Sequence, residues 1–352
     1  MAERGESGSA GQEPAPGPPR SPASPPAAPA PVEFCGLTLA HPIVNGSGTF
    51  DAIAARRAFG DSLERDFPFA AFVTKTITLE PRPGNAPPRL WESPAGLINS
   101  IGLPNRGLRG YLGHDLPALE WLPVPLITNV MGSTAEEVVE LVAALDGHPQ
   151  IAAFELNVSC PNVRTGLDLG SDPAELERLV ERVRPRTARP LIVKLTPNTA
   201  DVAAVAAAAE RGGSDAVSLI NTLRALALHP HRPGPWLGGG SGGLSGPAIR
   251  AVALEQVARV SARINIPVVG MGGVQSGRDA YDFMRAGATL VAVGTESFRD
   301  ARAGARIARE LHDTQSFAKS EFGSEPPTMS PDSTPAKLLQ NDAMGSSTLN
   351  VA

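Results

Sequence analysis

Cysteine and long hydrophobic runs are the features this chain lacks most clearly. Its 352 residues include two cysteines, Cys35 and Cys160, and no uninterrupted run of 18 apolar residues. Two thiols cannot form the disulfide framework of a small secreted domain, nor bind a four-cysteine iron–sulfur cluster. Without a long apolar run no membrane span is expected. The net charge of -5 gives no reason to expect a nucleic-acid partner. We therefore expect a cytoplasmic protein.

Both ends of the chain lack the residues that build a core. Residues 1–31 contain nine prolines and no aromatic residue, isoleucine, leucine or valine. Such a composition cannot bury enough apolar surface to offset the entropy lost on ordering. We expect a disordered Pro/Ala-rich tail over residues 1–33 and a second tail, rich in Ser, Thr, Pro and Asp, over residues 313–352. One folded domain is then predicted over residues 34–312.

Eight short apolar runs, separated by segments with helical patterns, occupy the predicted domain. They are rich in valine, isoleucine and leucine, as is typical of strands buried on both faces. Eight such strands alternating with helices predict an α/β fold, a (β/α)₈ TIM barrel. A doubly wound open sheet is the alternative, although no G-x-G-x-x-G follows an early strand. The runs are residues 41–48, 70–76, 125–131, 151–159, 190–197, 215–222, 266–273 and 290–297.

Nearly every predicted strand ends in a polar residue or a glycine. In a TIM barrel the functional groups lie at these carboxyl ends. Solvated loops would explain one or two such positions, but they explain less well two lysines and several asparagines directly after apolar runs. The residues are Ser47, Lys75, Thr76, Asn129, Asn157, Cys160, Asn162, Lys194, Asn221, Thr222, Gly272, Gly273, Gly294 and Thr295.

The glycines after the last two strands predict a phosphate site. Barrels commonly bind phosphate there through backbone N–H groups and a helix N-terminus. Tight turns are the plainer explanation for these glycines. Lys194 ends a buried strand and needs an anion nearby. A reduced flavin meets that need, and asparagine amides match the donor and acceptor edges of a flavin or a pyrimidine. The six histidines are scattered and no H-E-x-x-H or C-x-x-C occurs, so no metal site is expected.

Cys160 lies in the stretch FELNVSCPNV, where a strand runs into a loop. A single cysteine is most often a small buried apolar residue. Its place on a polar strand end favours a chemical role, as a nucleophile or a proton-transfer group, because neighbouring charge and solvation move a thiol pKa. Cys35 has no such surroundings in the sequence. We interpret the three tryptophans, Trp91, Trp121 and Trp236, as packing residues. We interpret His229 and His231, in the Pro/Gly-rich segment 223–245, as surface-loop residues.

Several motifs together resemble class 1 dihydroorotate dehydrogenases. They are FELNVSCPNV, VTKTITLEPRPGNAPPR (73–89), LINSIGLPNRG (97–107), VKLTPN (193–198), LINT (219–222), GGLSGPAI (242–249), GMGGV (270–274) and VGTESF (293–298). They occur in family order over about residues 36 to 300. The resemblance implies a TIM barrel, FMN as cofactor, and oxidation of dihydroorotate to orotate in pyrimidine synthesis.

The resemblance also implies roles for residues at matching positions. Cys160 would be the base that takes the C5 proton of dihydroorotate while the C6 hydride goes to the flavin. Substrate-binding positions would be Lys75, Asn99, Ser100, Ile101, Gly102, Leu103, Asn157, Asn162, Asn221 and Thr222. FMN-binding positions would be Ser47, Lys75, Thr76, Asn129, Asn157, Lys194, Ile220, Gly246, Gly272, Gly273, Gly294 and Thr295.

The loop after Cys160, PNVRTGLDLG, is similar to the class 1B pattern rather than to class 1A. Class 1B implies a homodimer that works with an iron–sulfur and FAD electron-transfer subunit in a heterotetramer, with NAD as the final acceptor. Class 1A, which uses fumarate, stays open as an alternative. Two further alternatives are another FMN barrel enzyme, similar to dihydropyrimidine dehydrogenase, and a non-catalytic barrel that binds a phosphorylated ligand.

Overall fold

The computed structural model describes residues 30–158 and 170–322. Its strands, numbered along the chain, are β1 Val32–Phe34, β2 Leu37–Leu39, β3 Ile43–Asn45, β4 Phe72–Val73, β5 Leu90–Ser93, β6 Gly96–Asn99, β7 Leu126–Val130, β8 Ile151–Asn157, β9 Leu191–Lys194, β10 Ala216–Leu219, β11 Leu223–Ala225, β12 Gly242–Ser245, β13 Val268–Met271 and β14 Leu290–Val293.

Eight of these strands form one parallel sheet in the order β3-β14-β13-β10-β9-β8-β7-β4. Each of the eight apolar runs predicted from the sequence contains one of them. From β4 to β14 the strands lie in chain order, as they must when successive βα units wind in one direction. The first strand, β3, pairs with the last, β14. The prediction of a (β/α)₈ barrel is confirmed.

The barrel closes between β3 and β4, the two ends of the ladder. The backbone N–H of Ala70 donates to the carbonyl of Ile43 at 2.9 Å. Further up, the buried Asn45 side chain replaces the ladder: its Nδ2 donates to the Val73 carbonyl and its Oδ1 accepts from the Val73 N–H, both at 2.8 Å. One amide therefore satisfies both backbone groups of Val73 at the seam.

The inside of the barrel is apolar in its lower half. Side chains that alternate along the strands, such as Val44, Ile127, Ala153 and Ile192, form a cluster separate from the outer core. The β1–β2 hairpin covers the amino-terminal end of the barrel, where Phe34 and Leu39 join that cluster. The residues between them, including Phe154 and Leu156, point outward and pack beneath the helices.

Helices cover the outside of the barrel. In the described residues they are α1 Ala52–Phe59, α2 Ser62–Arg65, α3 Gly107–Gly110, α4 Ala135–Asp146, α5 Pro173–Val183, α6 Val202–Arg211, α7 Arg250–Ser261, α8 Gly277–Arg285 and α9 Ala303–Phe322. Shorter helical turns cover Tyr111–Asp115, Pro117–Leu119, Arg184–Arg186, Pro247–Ile249 and Thr295–Phe298. None of the helices in this part of the chain is long and apolar enough to cross a membrane.

Side-chain caps fix where several helices begin. Thr134 caps α4 and Asp172 caps α5, with Pro173 in the first turn of α5. Ser276 and Asp279 form a reciprocal capping box at the start of α8. The caps of α4 and α8 lie close to the carboxyl ends of β7 and β13, because these two helices begin a few residues after those strands end.

The Pro/Gly-rich segment 223–245 contains two strands besides the loop that carries His229 and His231. It supplies β11 and β12, which pair with β6 and β5 in a four-stranded antiparallel sheet beside the barrel mouth. Trp91 and Trp236 pack edge to face there, with ring centroids 5.2 Å apart, so the expectation that they are packing residues is confirmed. Pairing with a distant hairpin stabilises strands that a Gly/Pro-rich sequence would not form alone.

The last helix is longer than composition predicts. The expected C-terminal tail starts at residue 313, but α9 continues to Phe322, and Ala318 is buried in the core. Once a helix is packed, each further residue adds a hydrogen bond at little extra cost. The N-terminal tail was expected to end at residue 33, whereas β1 begins at Val32.

We predict that Asn45→Ala destabilises the barrel strongly. Alanine leaves the buried N–H and C=O groups of Val73 without their partners, which costs about 2–4 kcal/mol. Urea unfolding of the purified protein measures this loss. Asn265→Ala, at an exposed position, is the matched control and should stay within about 0.5 kcal/mol of wild type. An Asn45→Ala variant as stable as that control would show that the seam does not depend on this amide.

Candidate active site

The predicted site residues gather at the carboxyl-terminal end of the barrel. Each candidate FMN-binding residue lies at the carboxyl end of a barrel strand or in the segment that follows the strand. The exception is Gly246, which follows β12. Because the strands are parallel and closed into a ring, these ends meet on one rim. The described site residues are therefore neighbours in space although they span most of the chain.

Three glycine segments meet on one side of this rim. Gly246, Gly272 and Gly273 have positive φ angles of 92°, 138° and 75°. A Cβ atom at Gly273 would lie 2.7 Å from the carbonyl oxygen of Gly246, and one at Gly246 would lie 3.6 Å from Thr295 Cγ2. Only glycine permits this conformation and this close backbone approach. We call Gly246, Gly272, Gly273, Gly294 and Thr295 the glycine cradle.

A buried polar layer lies above the apolar interior. Glu155 on β8 accepts hydrogen bonds from Asn129 Nδ2 at 2.5 Å and from Ser218 Oγ at 2.8 Å. A carboxylate can only accept, so the Asn129 amide must turn its nitrogen toward Glu155. Its Oδ1 is then directed away and is buried without a hydrogen-bond partner. Such an orphaned acceptor is typical of a place that a ligand donor fills.

Two lysines give the rim its positive charge. Lys194 is 7% exposed, and no hydrogen bond or ion pair from the described residues reaches its ammonium group. A buried cation without an anion is costly, so the site is suited to a negatively charged ligand. Lys75 is more open. Partial desolvation lowers its pKa, nearby Asp51 opposes this effect, and Arg89 lowers the pKa further.

The candidate substrate segment Asn99–Leu103 continues from β6 over the barrel mouth. Gly102 and Leu103 both have positive φ angles, 76° and 53°. Asn85 holds the segment by donating to Ser100 Oγ at 2.9 Å, and Asn105 holds its other end by donating to the Leu103 carbonyl at 2.9 Å. These side-chain bonds hold a conformation that leucine rarely adopts.

The second candidate substrate segment, Asn221 and Thr222, lies against the first. Asn99 Nδ2 donates to the Gly243 carbonyl at 3.2 Å, and the Thr222 side chain occupies the space that a Gly243 side chain would need. Asn198 Nδ2 donates to the Thr222 carbonyl at 3.0 Å. Both segments are thus joined through β12 at the same edge of the mouth.

Cys160 and Asn162 lie outside the described residues. The described residues before this gap end at Val158, just beyond β8, and those after it begin at Gly170. Gly170 packs against the Val158 carbonyl. The connecting segment therefore starts and ends at the rim. Cys35 is at the opposite end of the barrel: its Sγ donates to the Asp215 carbonyl at 3.4 Å, and burial with the nearby Asp215 charge raises its pKa to about 11.

Some residues of this site were not predicted from the sequence. Glu155 stands alone as a carboxylate inside an apolar run, a signal that could have marked it as a buried, hydrogen-bonded group. Asn85, Asn105 and Asn198 lie in loops and carry no comparable signal. Within residues 30–158 and 170–322, no group of three or more His, Cys, Asp or Glu side chains could hold a metal ion.

Comparison with known proteins agrees with this geometry. A family model described as dihydroorotate dehydrogenase matches residues 30–314. The chain belongs to the dihydroorotate dehydrogenase family. The match covers the barrel strands, the glycine cradle and both candidate substrate segments.

Individual relatives are similar over nearly their whole length. The catalytic subunit of dihydroorotate dehydrogenase B (NAD(+)) from Geobacter sp. strain M21 is 43% identical over 281 residues, 80% of this chain and 91% of the relative. The same subunit from Desulforudis audaxviator is 44% identical over 284 residues, 80% and 90% of the two chains. A Solibacter usitatus protein assigned to dihydroorotate dehydrogenase A (fumarate) is 44% identical over 281 residues, 79% and 90%.

Proposed function

We propose that this chain oxidises dihydroorotate to orotate with bound FMN, as a step of pyrimidine biosynthesis. The observation that carries the proposal is the convergence on one rim of buried Lys194, the glycine cradle and the segment Asn99–Leu103. A cation, a glycine-lined backbone cradle and an amide-rich wall match the three parts of an FMN-dependent pyrimidine site. Membership of the family supports the same activity.

The residues of the rim fit FMN. Its phosphate would lie against the backbone of the glycine cradle, where an anion meets N–H groups at close range. Lys194 would supply the charge that a reduced flavin needs, and the unpartnered Asn129 Oδ1 would accept from a ring N–H. FMN, when bound, supplies the acceptor for a hydride from the substrate. The other proposed contacts are Ser47, Lys75, Thr76, Asn157 and Ile220.

Dihydroorotate carries a carboxylate and amide edges, which suit the opposite wall. Lys75 would pair with the carboxylate, while Asn99, Ser100, Ile101, Gly102 and Leu103 would face the ring together with Asn157, Asn162, Asn221 and Thr222. The hydrogen bonds from Asn85 and Asn105 would hold this wall in one conformation before the substrate binds.

Cys160 is our candidate for the base. In the sequence it lies two residues beyond Val158, which follows the end of β8 at the rim. A thiolate there would take the C5 proton as the C6 hydride leaves the substrate. A reactive cysteine needs positive surroundings that lower its pKa, and Lys75 and Lys194 are the lysines of this rim.

For the electron acceptor we propose NAD, reached through a partner subunit. Two of the three relatives above are named as catalytic subunits of the NAD(+) enzyme. This chain has too few cysteines to bind a four-cysteine cluster itself. The proposed assembly is a homodimer joined by an iron–sulfur and FAD subunit in a heterotetramer. The fumarate assignment of one equally similar relative makes the acceptor a point to test.

The isolated chain should pass electrons from dihydroorotate to a dye or to oxygen, and only slowly to NAD. The reason is that the proposed route to NAD needs cofactors that this chain does not bind. Steady-state assays with dihydroorotate and each acceptor measure the difference. Rapid NAD reduction by the isolated chain would contradict the class 1B proposal, and efficient fumarate turnover would replace it with class 1A.

Replacing Cys160 with alanine should slow flavin reduction by about 10²–10⁴-fold, because general base catalysis is typically of that size. The variant should keep its flavin and still bind orotate, since Lys194 and the glycine cradle are on other strands. Cys160→Ser should keep some activity, shifted to high pH, because a hydroxyl gives up its proton less readily than a thiol. Anaerobic stopped-flow of flavin bleaching over pH 6–10 measures all three proteins.

Cys35→Ala is the matched control. Cys35 lies at the opposite end of the barrel from the rim, where it cannot reach the substrate, and burial raises the pKa of its thiol to about 11. The control should therefore follow wild type in rate and in pH profile. A Cys160→Ala variant that reduces its flavin as fast as wild type would show that Cys160 is not the base.

A further inference from the structure

We infer that Arg306 is a positioning residue for the FMN phosphate, acting on the glycine cradle from outside. This inference rests on the function proposed above. Arg306 lies in the first turn of α9, half-buried behind the segments that follow β13 and β14. Its hydrogen bonds and ion pairs within the described residues go to residues just beyond Gly273 and Gly294, and to its own helix and the turn before it.

The guanidinium of Arg306 joins these two segments. Its Nη1 donates to the carbonyl of Gln275, two residues after Gly273, at 3.0 Å. Its Nη2 donates to Glu296, two residues after Gly294, at 3.0 Å, and its Nε donates to Asp300 at 3.1 Å. The planar fork of arginine can make all three bonds at once, which a lysine ammonium on a flexible stem cannot do in this geometry.

Further bonds complete the connection. Gln275 Nε2 donates to the second oxygen of Glu296 at 3.1 Å, so the two segments are also joined directly. Glu296 is 9% exposed, and breaking its bonds would leave a buried carboxylate partly unpaired. Thr295, next to Glu296, donates to Ser245 Oγ at 2.8 Å. Because Ser245 precedes Gly246, this bond links the segment that contains Gly246 to the other two.

The charge balance excludes a direct role for Arg306 in holding phosphate. Glu296, Asp300 and Glu310 all lie within 3.1 Å of its guanidinium nitrogens, so its charge is already neutralised. Its effect must then come from spacing. Backbone N–H groups bind an anion well only when their separation is held, and Arg306 holds the separation between the segments that follow β13 and β14.

Arg306→Gln should weaken FMN binding by about tenfold, since it removes charge-assisted bonds between the two segments and only part of that loss should reach the ligand. Riboflavin has the same ring without the phosphate, so its dissociation constant should change by less than about twofold. Arg306→Lys should give an intermediate loss because it keeps the charge without the fork. Fluorescence titration of the flavin-stripped full chain with each ligand gives both dissociation constants.

Arg309→Gln is the matched control, an exposed arginine on the same helix whose side chain donates only to its own helix. It should leave both constants unchanged. Glu296→Gln is the second variant, and it should reproduce the selective loss of FMN affinity if Arg306→Gln does not fold.

Three outcomes would overturn the inference. Equal weakening of FMN and riboflavin would mean general loosening of the barrel. An unchanged preference for FMN in both the Arg306→Gln and Glu296→Gln variants would mean that the cradle keeps its spacing without this connection. If wild type itself binds FMN no better than riboflavin, the phosphate site and the proposed function fail together with it.

Discussion

Closure of the barrel at Asn45 is the constraint on which the site depends. β3 and β4 are three and two residues long, and they meet where a backbone ladder is nearly absent. One buried amide makes both bonds to Val73 and completes the ring. Only in a closed ring do all eight carboxyl ends face one mouth. Lys194 from the middle of the chain and Thr295 near its end then become parts of the same rim.

The interior of the barrel is divided between two tasks. Its lower half is apolar and is covered by the β1–β2 hairpin, so stability there comes from burial. The upper half buries Glu155 and Lys194, which is expensive unless each group is bonded or has an anionic partner. Glu155 is bonded by Asn129 and Ser218. Lys194 has no such bond within the described residues, and this imbalance is the strongest physical argument for an anionic cofactor.

Local pattern predicted the eight strands, because continuous apolar runs indicate burial on both faces. It missed what depends on distant partners. The sheet formed by β11 and β12 needs β6, over a hundred residues away, and the end of α9 depends on packing of Ala318. The roles of Asn45, Asn105 and Arg306 depend on atoms that the sequence does not bring near them.

The absorption spectrum of the purified protein, recorded without oxygen before and after adding dihydroorotate, tests the account most directly. We predict a yellow protein that releases FMN on denaturation. Its flavin band should bleach with dihydroorotate and not with dihydrouracil or dihydrothymine. A protein that takes up no FMN would contradict the assignment of the rim. Bleaching by dihydrouracil in place of dihydroorotate would contradict the assignment of the substrate.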